Sequence, residues 1–452
     1  MQKFFLSALF LNACLSLKAQ HANFDKYVAI KVDGSSFNYV GTGDVDGDGR
    51  TDIAGCGTQL FLWRQGSSGQ LPTPVKYLFP KQGSVSALAV ADIFKDGKAE
   101  VLVGIGGQLC IYSWVNNGLV LTDSFTTVTN SSHNGITTAD FDGDGLTDIG
   151  LAHWGGYRVT VAYQKGEGVD WDIRHYPHPT NGFGHVAATK FGSLQQNALV
   201  VMNWNSTDYL KLLTFTPARA LQNSYDFQLN AIPYLIHGAA TVRKGPQNKP
   251  ELWVAYGGNR PNSKVAIWRD IQSTPDSIFD TYDIPEAVQA DNLDCDDDDE
   301  AVVLHGGWMR TTVYSDTSRA NQIPYSSHYQ PDGLAIGDIN SDGRKDICIA
   351  SYPNDLIILY NITLPCWPTS ISVNNADHKG LSIYPNPASN QFAISSDRRG
   401  IINIHTLHGH QVYSGISNAR IEVDCGAWVP GLYFITLHDN DGNIETLKFY
   451  KQ

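Results

Sequence analysis

Short apolar runs separated by Gly, Asp and Asn fill most of the first 363 residues of the chain. One stretch shows the pattern clearly, with apolar runs at residues 85–92, 101–104, 109–115 and 119–126. Runs of this length bounded by turn residues are typical of β-strands, because a helix needs a longer segment with a period near 3.6. The pattern therefore predicts an all-β fold whose local unit is a group of four strands.

The four-strand unit repeats along the chain. An acidic residue, or an amide in its place, precedes the second strand of each unit. These positions are Asp52, Glu100, Asp148, Asn197, Glu251, Glu300 and Asp346, which lie 46 to 54 residues apart. Four strands in about 50 residues, repeated, are typical of propeller blades. The alternative is a solenoid, whose repeats are usually shorter or contain helix. We therefore predict a seven-bladed β-propeller in residues 21–365.

The two ends of the repeat array favour a closed ring. The last repeat has only three strands, at residues 333–338, 347–351 and 356–360, whereas a spare strand at residues 27–32 precedes the first repeat. Closing the array would let the N-terminal strand complete the last blade. Such closure removes an open sheet edge that would otherwise invite aggregation.

Four of the repeats carry a loop of alternating acids and amides before the second strand. We name them loop 1 (residues 44–52), loop 3 (140–148), loop 6 (292–300) and loop 7 (338–346). Alternate oxygen side chains in a tight Gly-containing loop converge on one point, and hard oxygen ligands without His or Cys select calcium over zinc or copper. The sequence therefore predicts Ca²⁺ as a cofactor. The predicted ligands are Asp44, Asp46, Asp48, Asp52, Asp140, Asp142, Asp144, Asp148, Asn292, Asp294, Asp296, Glu300, Asp338, Asn340, Asp342 and Asp346.

These loops differ from EF-hands. An EF-hand needs an acid at its twelfth position, where loops 1, 3 and 7 have Gly55, Leu151 and Ile349. The simpler alternative is a set of acidic surface turns that bind no ion, but repetition at a fixed spacing favours the metal. Loop 2 (residues 92–100) keeps only three acids, which predicts a weak site or none. Repeats 4 and 5 have lost the ligands.

The unit Ala139-Asp-Phe-Asp-Gly-Asp-Gly-Leu-Thr-Asp-Ile-Gly-Leu-Ala resembles the FG-GAP/VCBS repeats of integrin-α-like propellers. The resemblance covers roughly residues 22–363. It implies a seven-bladed propeller with calcium in the loops between first and second strands. It leaves the function open, because that family includes adhesins, lectin-like modules and a few enzymes.

The chain after residue 380 has a different pattern, which follows a polar linker at residues 366–380. Alternating apolar runs broken by Pro and Gly predict a small β-sandwich in residues 381–452. This segment resembles the type A C-terminal sorting domain of the type IX secretion system, through Tyr384-Pro-Asn-Pro387, Pro430-Gly-Leu-Tyr433 and the terminal Lys448 and Lys451. The resemblance implies a Bacteroidota-type bacterium, the type IX machinery as partner, and a product that is secreted or attached to the outer cell surface. A general β-sandwich binding module is the alternative.

The N-terminus and the charge agree with export. Residues 1–20 read as a signal peptide, with the basic Lys3, an apolar stretch and a small-residue cleavage site near Ala19. The formal net charge of −13 argues against nucleic acid as a partner. No later stretch is long and apolar enough to predict a transmembrane segment.

Aromatic, Asn and Arg side chains recur in the turns between second and third strands, at the end of each repeat opposite the acidic loops. Flat rings stack on sugar faces, and guanidinium groups bind hydroxyls or carboxylates, so these turns predict a ligand site. The alternative is that the rings only pack between blades. The predicted ligand contacts are Trp154, Trp204, Arg260, Trp308 and Arg310.

Two function classes follow from this surface. The first is a non-catalytic binding or adhesion module for a glycan or a cell-surface protein. The second is a polysaccharide lyase or hydrolase, because a lyase needs a group that neutralises a uronate carboxylate, a base and often an acid. Its candidate catalytic residues are His133, His153, Tyr157 and Arg158. We expect the first class, since the sequence carries no strong catalytic signature.

Overall fold

β-Strands make up nearly all the regular structure in the described part of the computed structural model, with one short 3₁₀ helix at Pro246–Asn248. The chain divides into two units, Met1–Pro365 and Cys366–Gln452. The predicted signal peptide (residues 1–20) and linker (residues 366–380) lie outside the described residues. The structure describes residues 22–33, 37–67, 69–80, 83–127, 132–154, 158–166, 168, 170–177, 183–203, 210–229, 238–294, 296, 298–306, 310–316, 319–324, 333–351, 354–363, 381–396, 398–406, 410–417, 420–439 and 444–451.

The described strands of the first unit form seven four-stranded antiparallel sheets. The N-terminal strand β1 (Val28–Lys31) is followed by sheet 1, with β2 (Tyr39–Gly43), β3 (Asp52–Cys56), β4 (Leu60–Trp63) and β5 (Val75–Tyr77). Sheet 2 contains β6 (Val85–Ala91), β7 (Glu100–Ile105), β8 (Gln108–Val115) and β9 (Gly118–Thr126). Sheet 3 contains β10 (Ser132–Ala139), β11 (Asp148–Trp154), β12 (Arg158–Gln164) and β13 (Trp171–Pro177).

The remaining sheets of this unit repeat the same order of strands. Sheet 4 contains β14 (Phe183–Thr189), β15 (Ala198–Asn203), β16 (Leu210–Phe215) and β17 (Leu221–Phe227). Sheet 5 contains β18 (Gly238–Gly245), β19 (Lys249–Gly257), β20 (Ser263–Trp268) and β21 (Ser277–Asp280). Sheet 6 contains β22 (Pro285–Asp291), β23 (Glu300–His305), β24 (Arg310–Asp316) and β25 (Arg319–Pro324). Sheet 7 contains β26 (Leu334–Gly337), β27 (Asp346–Ser351) and β28 (Asp355–Leu359), with β1 as its fourth strand.

The N-terminal strand completes sheet 7, as the spare strand in the sequence predicts. Strand β1 pairs antiparallel with β28, from Val28 opposite Ile358 to Lys31 opposite Asp355. The backbone contact continues beyond the strands, because the Ile362 N–H donates to the Asn23 carbonyl at 2.8 Å. Residues more than 300 positions apart in the sequence therefore close one sheet, and the outer edge of β28 is covered.

The first strands of all seven sheets line one cavity of about 390 Å³. Polar side chains join neighbouring first strands around it. The Thr42 hydroxyl donates to the Ile336 carbonyl at 2.7 Å, and the Gln289 amide donates to the Leu334 carbonyl at 2.7 Å. The Thr137 hydroxyl accepts from the Ala188 N–H at 3.0 Å. This arrangement of sheets around a common centre makes the unit a propeller-like all-β fold.

The core lies between neighbouring sheets. One apolar cluster combines Phe37, Phe61 and Trp63 of the first repeat with Cys348 and Ile358 of sheet 7. The rings of Phe37 and Trp63 meet edge to face with their centroids 6.0 Å apart, a favourable aromatic geometry. Second strands such as β3 and β27 are buried along their whole length, which explains their uninterrupted apolar sequences.

The second unit contains two described sheets. One has β29 (Ser382–Tyr384), β30 (Gln391–Ser395) and β33 (Arg420–Asp424), and the other has β31 (Gly400–Thr406), β32 (Gln411–Ile416), β34 (Gly431–Asp439) and β35 (Ile444–Lys451). A single apolar cluster takes Phe392 and Val423 from the first sheet and Ile404, Ile435 and Phe449 from the second. Both sheets therefore bury one face in the same core.

The Tyr-Pro-Asn-Pro motif of the second unit has a structural role. The Asn386 side-chain amide donates to the Lys448 carbonyl at 2.9 Å, and its oxygen accepts from the Tyr450 N–H at 2.9 Å. The Ala388 N–H also donates to the Tyr450 carbonyl at 3.1 Å. The motif thereby holds the last strand, β35, along the edge that faces away from β34, where the sheet supplies no further strand.

We predict that Gly69→Ala destabilises the first unit more than Gly97→Ala. Both glycines have a positive φ, 70° and 84°, so both substitutions strain the backbone. A Cβ on Gly69 would also lie 2.3 Å from the Asn340 carbonyl oxygen of the seventh repeat, whereas a Cβ on Gly97 would meet nothing within 4 Å. The extra loss should be about 1–3 kcal/mol by calorimetry in EDTA. Equal losses of stability would show that the close packing of Gly69 against Asn340 does not contribute to the stability of the first unit.

Candidate metal loops and the opposite end of the sheets

The acidic loops join the first and second strands of their sheets, and loops 1, 2, 3 and 7 share one local fold. In loop 1, the Asp44 carboxylate accepts backbone N–H groups from Gly47 at 2.8 Å and Gly49 at 2.7 Å. Both glycines have a positive φ, which turns their N–H groups toward the acid and which bulkier residues rarely adopt. Asp92, Asp140 and Asp338 accept equivalent backbone bonds in loops 2, 3 and 7. The Asp-Gly spacing of the sequence therefore encodes the loop shape itself.

The last acid of each loop is buried and holds the loop to its own sheet. Asp52 is fully buried, and its two carboxylate oxygens accept the Val45 N–H at 3.1 Å and the Gln65 N–H at 2.9 Å. Asp148 accepts from Phe141 and Gln164, and Asp346 accepts from Ile339 and Asn361, all at 2.8 to 3.0 Å. We call this arrangement the carboxylate clamp. It connects the loop, the start of the second strand and the end of the third strand.

Sequence reasoning assigned these three acids to metal and missed the clamp. A signal for it was present, because repeats 2 and 5 keep an acid at this position after losing other ligands. In repeat 2, Glu100 is buried and accepts the Ile93 N–H at 3.1 Å. In repeat 5, Glu251 accepts the Trp253 indole N–H at 3.0 Å and the Arg269 Nε–H at 2.7 Å. The repeated acid therefore has a role that does not depend on metal.

Burial makes the clamp acids reluctant to ionise. Desolvation is the main cause that raises the pKa of Asp52 to about 6 and those of Asp148 and Asp346 to about 7. The backbone N–H bonds work in the opposite direction, and the neighbouring loop acids raise these pKa values further. The loops therefore concentrate negative charge where solvent does little to stabilise it.

Three sets of predicted ligands converge within the described residues. They are Asp44, Asp46 and Asp48 in loop 1; Asp140, Asp142 and Asp148 in loop 3; and Asp294, Asp296 and Glu300 in loop 6. Within each set, one ligand atom per residue lies within 4.8 Å of the others. Calcium–oxygen distances are about 2.3–2.6 Å, so oxygens on opposite sides of one ion are about 4.6–5.2 Å apart. Each set has the size that one calcium ion requires.

The other predicted ligands are placed differently. Asp52 and Asp144 do not join the acid sets of their loops. In loop 7, the side chains bind one another, since the Asn340 amide donates to Asp342 Oδ2 at 3.0 Å. The Asp338 carboxylate accepts backbone N–H groups of Asp342 and Gly343. Loop 7 thus has the loop fold of loops 1 and 3. The amide oxygen of Asn340 stands where those loops have the carboxylates of Asp46 and Asp142.

Loop 6 contains buried carboxylate oxygens that lack a hydrogen bond within the described part of the chain. Asp294 and Glu300 are 3 % and 0 % exposed, and Asp294 Oδ2 and Glu300 Oε1 have no hydrogen-bond partner there. Burial is the first cause that raises the pKa of Asp294 to about 6 and that of Glu300 to about 8. Burying a carboxylate without a partner is costly. These oxygens fit a bound cation, which would satisfy both.

At the opposite end of the sheets, six of the predicted ligand and catalytic residues have no described side chain. Tyr157, Trp204 and Trp308 lie outside the described residues. His133, Trp154 and Arg310 belong to the strands β10, β11 and β24, and for these three residues the structure describes only the backbone. Predictions for these six side chains therefore stay predictions.

His153 is packed inside sheet 3. It is fully buried, and its Nε2 lies 2.7 Å from the Thr160 hydroxyl, which lies 2.9 Å from His175 Nδ1. Sheet 6 repeats the arrangement, with His305 Nε2 3.0 Å from the Thr312 hydroxyl. A side chain that binds across its own sheet in two repeats serves packing, and its burial does not favour the catalytic role considered for it.

Arg260, at this end of the sheets, is held in position by two contacts. The Arg260 guanidinium lies 3.9 Å from the Tyr282 ring centroid, and its Nε–H donates to the Thr281 carbonyl at 3.0 Å. A cation above an aromatic ring is a favourable arrangement. Arg158 has a buried Nε without a hydrogen bond to any described residue. Charged and aromatic groups therefore meet at this end.

Sequence reasoning missed a buried acid at the same end. Glu286 on β22 is 1 % exposed, and a Cβ on Gly306 would lie about 2.5 Å from its carboxylate. Burial raises the pKa of Glu286 to about 9, so the group is a neutral acid at pH 7. An isolated acid in an apolar run carries no motif, and only the fold shows that β23 and its following glycine enclose it.

We predict that Asp346→Ala destabilises the first unit even in EDTA. The substitution leaves the Ile339 and Asn361 N–H groups without their acceptors, and each unsatisfied buried donor costs about 1–3 kcal/mol. Asp342→Ala in the same loop is the control, because its carboxylate is partly exposed and its contact with Arg344 contributes little. Thermal melting in EDTA checks the difference. Equal melting of the two variants would contradict the clamp.

Comparison with known families confirms both resemblances seen in the sequence. Residues 44–103 and 95–151 match the FG-GAP-like repeat, and residues 382–451 match the secretion system C-terminal sorting domain. The sorting-domain match indicates type IX secretion to the cell surface or beyond in Bacteroidota. No curated protein matches the chain significantly. Among the described residues, no helix is long and apolar enough to span a membrane.

Two solved structures align with the chain at low sequence identity. The extracellular domain of a hybrid two component system from B. thetaiotaomicron aligns with 94% of this chain at 13% identity and a TM-score of 0.49. This chain spans about half of that one, 52% of its length. BBS1N, solved in complex with ARL6DN and soaked with lead, aligns with 78% of this chain and 98% of its own at 12% identity and a TM-score of 0.51. The chain thus combines FG-GAP-like repeats in a propeller-like unit with a type IX secretion C-terminal sorting domain.

Proposed function

We propose that the exported chain is a seven-bladed β-propeller that calcium stabilises and that binds a ligand outside the cell. The seven four-stranded sheets around one cavity and the pairing of β1 with β28 support a closed ring. In this proposal residues 1–20 are removed as a signal peptide, residues 21–365 form the ring, and residues 366–380 link it to a sorting domain in residues 381–452. The core shared by both sheets of the second unit supports a β-sandwich there.

The calcium proposal depends mainly on loop 6. Two buried carboxylate oxygens, of Asp294 and Glu300, lack hydrogen bonds to the described residues, and a third acid, Asp296, lies within 4.8 Å. Hydrogen bonds among the described residues leave these two oxygens without a partner, whereas a divalent cation would bind all three acids. Loops 1 and 3 bring together the same number of carboxylates. The absence of His and Cys from these sets favours calcium over zinc or copper.

We expect calcium to raise the melting temperature of the wild-type protein. A ligand that binds only the native state stabilises it by about 2.7 kcal/mol at a hundredfold excess over its Kd. Asp294→Asn should lower the number of bound calcium ions by one in isothermal titration calorimetry. Asp96→Asn, in the exposed part of loop 2, should leave it unchanged. Identical melting in EDTA and in millimolar calcium would refute the proposal.

The proposed ligand site lies at the end of the sheets opposite the acidic loops, and the ligand is a glycan or a cell-surface protein. The Arg260–Tyr282 pair supports it, because a guanidinium group held over a ring presents charge and an apolar face together. The enzyme alternative, a lyase or hydrolase, is less favoured because His153 is buried and bound to Thr160. Binding without turnover is therefore the proposed activity.

We expect Arg260→Ala to weaken ligand binding without lowering calcium affinity. Truncating an arginine at a binding hot spot costs about 2 kcal/mol or more, roughly thirtyfold in affinity. A glycan array and binding to whole bacterial cells would identify the ligand, and titration would compare the variants. Arg174→Ala on the edge strand β13 is the control, since its guanidinium contacts only the nearby Asp172 among described acids. Equal binding by both variants would show that Arg260 does not contact the ligand. Release of an unsaturated sugar product would favour the lyase.

A further inference from the structure

An arginine from sheet 4 reaches into the acidic loop of sheet 3. Arg219 lies in the turn between β16 and β17, and its Nε–H donates to Asp142 Oδ2 at 2.8 Å. Its Nη2 lies 3.3 Å from Asp144 Oδ2. Asp142 is only 2 % exposed, so this ion pair is largely shielded from water. The guanidinium group therefore stands between two carboxylates that the sequence pattern assigns to metal.

Groups outside loop 3 hold the same guanidinium. Its Nη1 lies 3.4 Å from Asp172 Oδ2 on β13, and its Nη2 donates to the Gln164 carbonyl at 3.3 Å. Its Cζ lies 5.2 Å from the ring centroid of Tyr163. Because these contacts do not involve the loop, they keep Arg219 in place whether or not the loop holds a metal ion.

The backbone of Arg219 is anchored as well. Its carbonyl accepts the Tyr176 hydroxyl at 2.7 Å, and its N–H donates to the Thr216 carbonyl at 2.8 Å. Its φ is 63°, a left-handed conformation that costs a non-glycine residue free energy. Glycine would suit this turn better than arginine. The side chain therefore has a role that offsets the strain of the backbone.

We propose that Arg219 is the built-in cation of loop 3, which neutralises the loop in the absence of metal and which calcium must displace from Asp142. This inference rests on the proposed calcium function. A fixed positive charge next to a cation site lowers the affinity for a divalent ion, since like charges a few ångströms apart repel even in water. Loop 3 then fills at a higher calcium concentration than it would without Arg219, and calcium binding breaks the contact that Arg219 makes from sheet 4 to Asp142 of sheet 3.

The test compares full-length wild type with Arg219→Gly, Arg219→Lys and Arg174→Gly. Arg219→Gly removes the charge and suits the positive φ, whereas Arg219→Lys keeps the charge but cannot reach both carboxylates as a planar fork. Arg174→Gly removes a neighbouring arginine that does not contact loop 3 through any described contact. Calcium binding is measured by isothermal titration calorimetry, and melting temperature is measured in EDTA and in calcium.

We expect Arg219→Gly to gain at least tenfold calcium affinity at one site, with a larger rise in melting temperature on adding calcium. Arg219→Lys should gain less, and Arg174→Gly should bind as the wild type does. Unchanged or weaker calcium binding by Arg219→Gly, with the wild type binding calcium, would overturn the inference alone. A wild type and variants that all bind no calcium would overturn both the inference and the proposed function. If Arg219→Gly bound calcium and the wild type did not, the inference would be supported, and calcium would not be the stabilising ion of the wild-type protein.

Discussion

A buried carboxylate that accepts two backbone N–H groups is the interaction on which the acidic end of the first unit depends. In sheets 1, 3 and 7 this clamp joins the loop after the first strand to the end of the third strand or to a residue just beyond it. The N–H groups that it satisfies would otherwise be buried donors without partners. The clamp stabilises the fold by satisfying those donors, although desolvation of the acid outweighs these bonds in its pKa.

The clamp explains why the repeats can lose their metal ligands and still fold. Repeat 5 has no acidic loop, but Glu251 keeps the position and binds Trp253 and Arg269 instead. In repeat 4, Asn197 replaces the acid, and its amide donates to the Asp140 carbonyl of loop 3. The loop acids are therefore free to change with function, whereas the position before the second strand keeps a polar side chain that can hold neighbouring backbone.

Ion pairs between arginines and loop acids connect neighbouring sheets at the same end. Sheet 4 has no acidic loop and contributes Arg219 to loop 3, while the buried Arg243 of sheet 5 lies 3.8 Å from Asp298 in loop 6. Both arginines also face aromatic rings, those of Tyr163 and Trp253. A repeat without ligands thus supplies the countercharge for its neighbour. This division of roles lets acids gather at one end of the fold without the repulsion that an unbalanced cluster would cause.

The strand pattern, the repeat and the sorting domain follow from the sequence alone, because each depends on local periodicity or on motifs with fixed spacing. The pairing of the N-terminal strand with the last repeat follows from the strand count, since the last repeat is one strand short and a spare strand precedes the first. The Asp-Gly spacing likewise encodes the loop shape, since Gly47 and Gly49 supply the turns that place N–H groups around Asp44.

What each acid binds depends on the tertiary structure. The clamp partners Gln65 and Asn361 lie 13 and 15 residues beyond Asp52 and Asp346, and Arg219 lies 77 residues beyond Asp142. Contacts at such separations depend on how strands and sheets pack against each other, which the repeat pattern does not specify. Glu286 and His153 show the same limit, because a polar residue becomes buried through what packs over it.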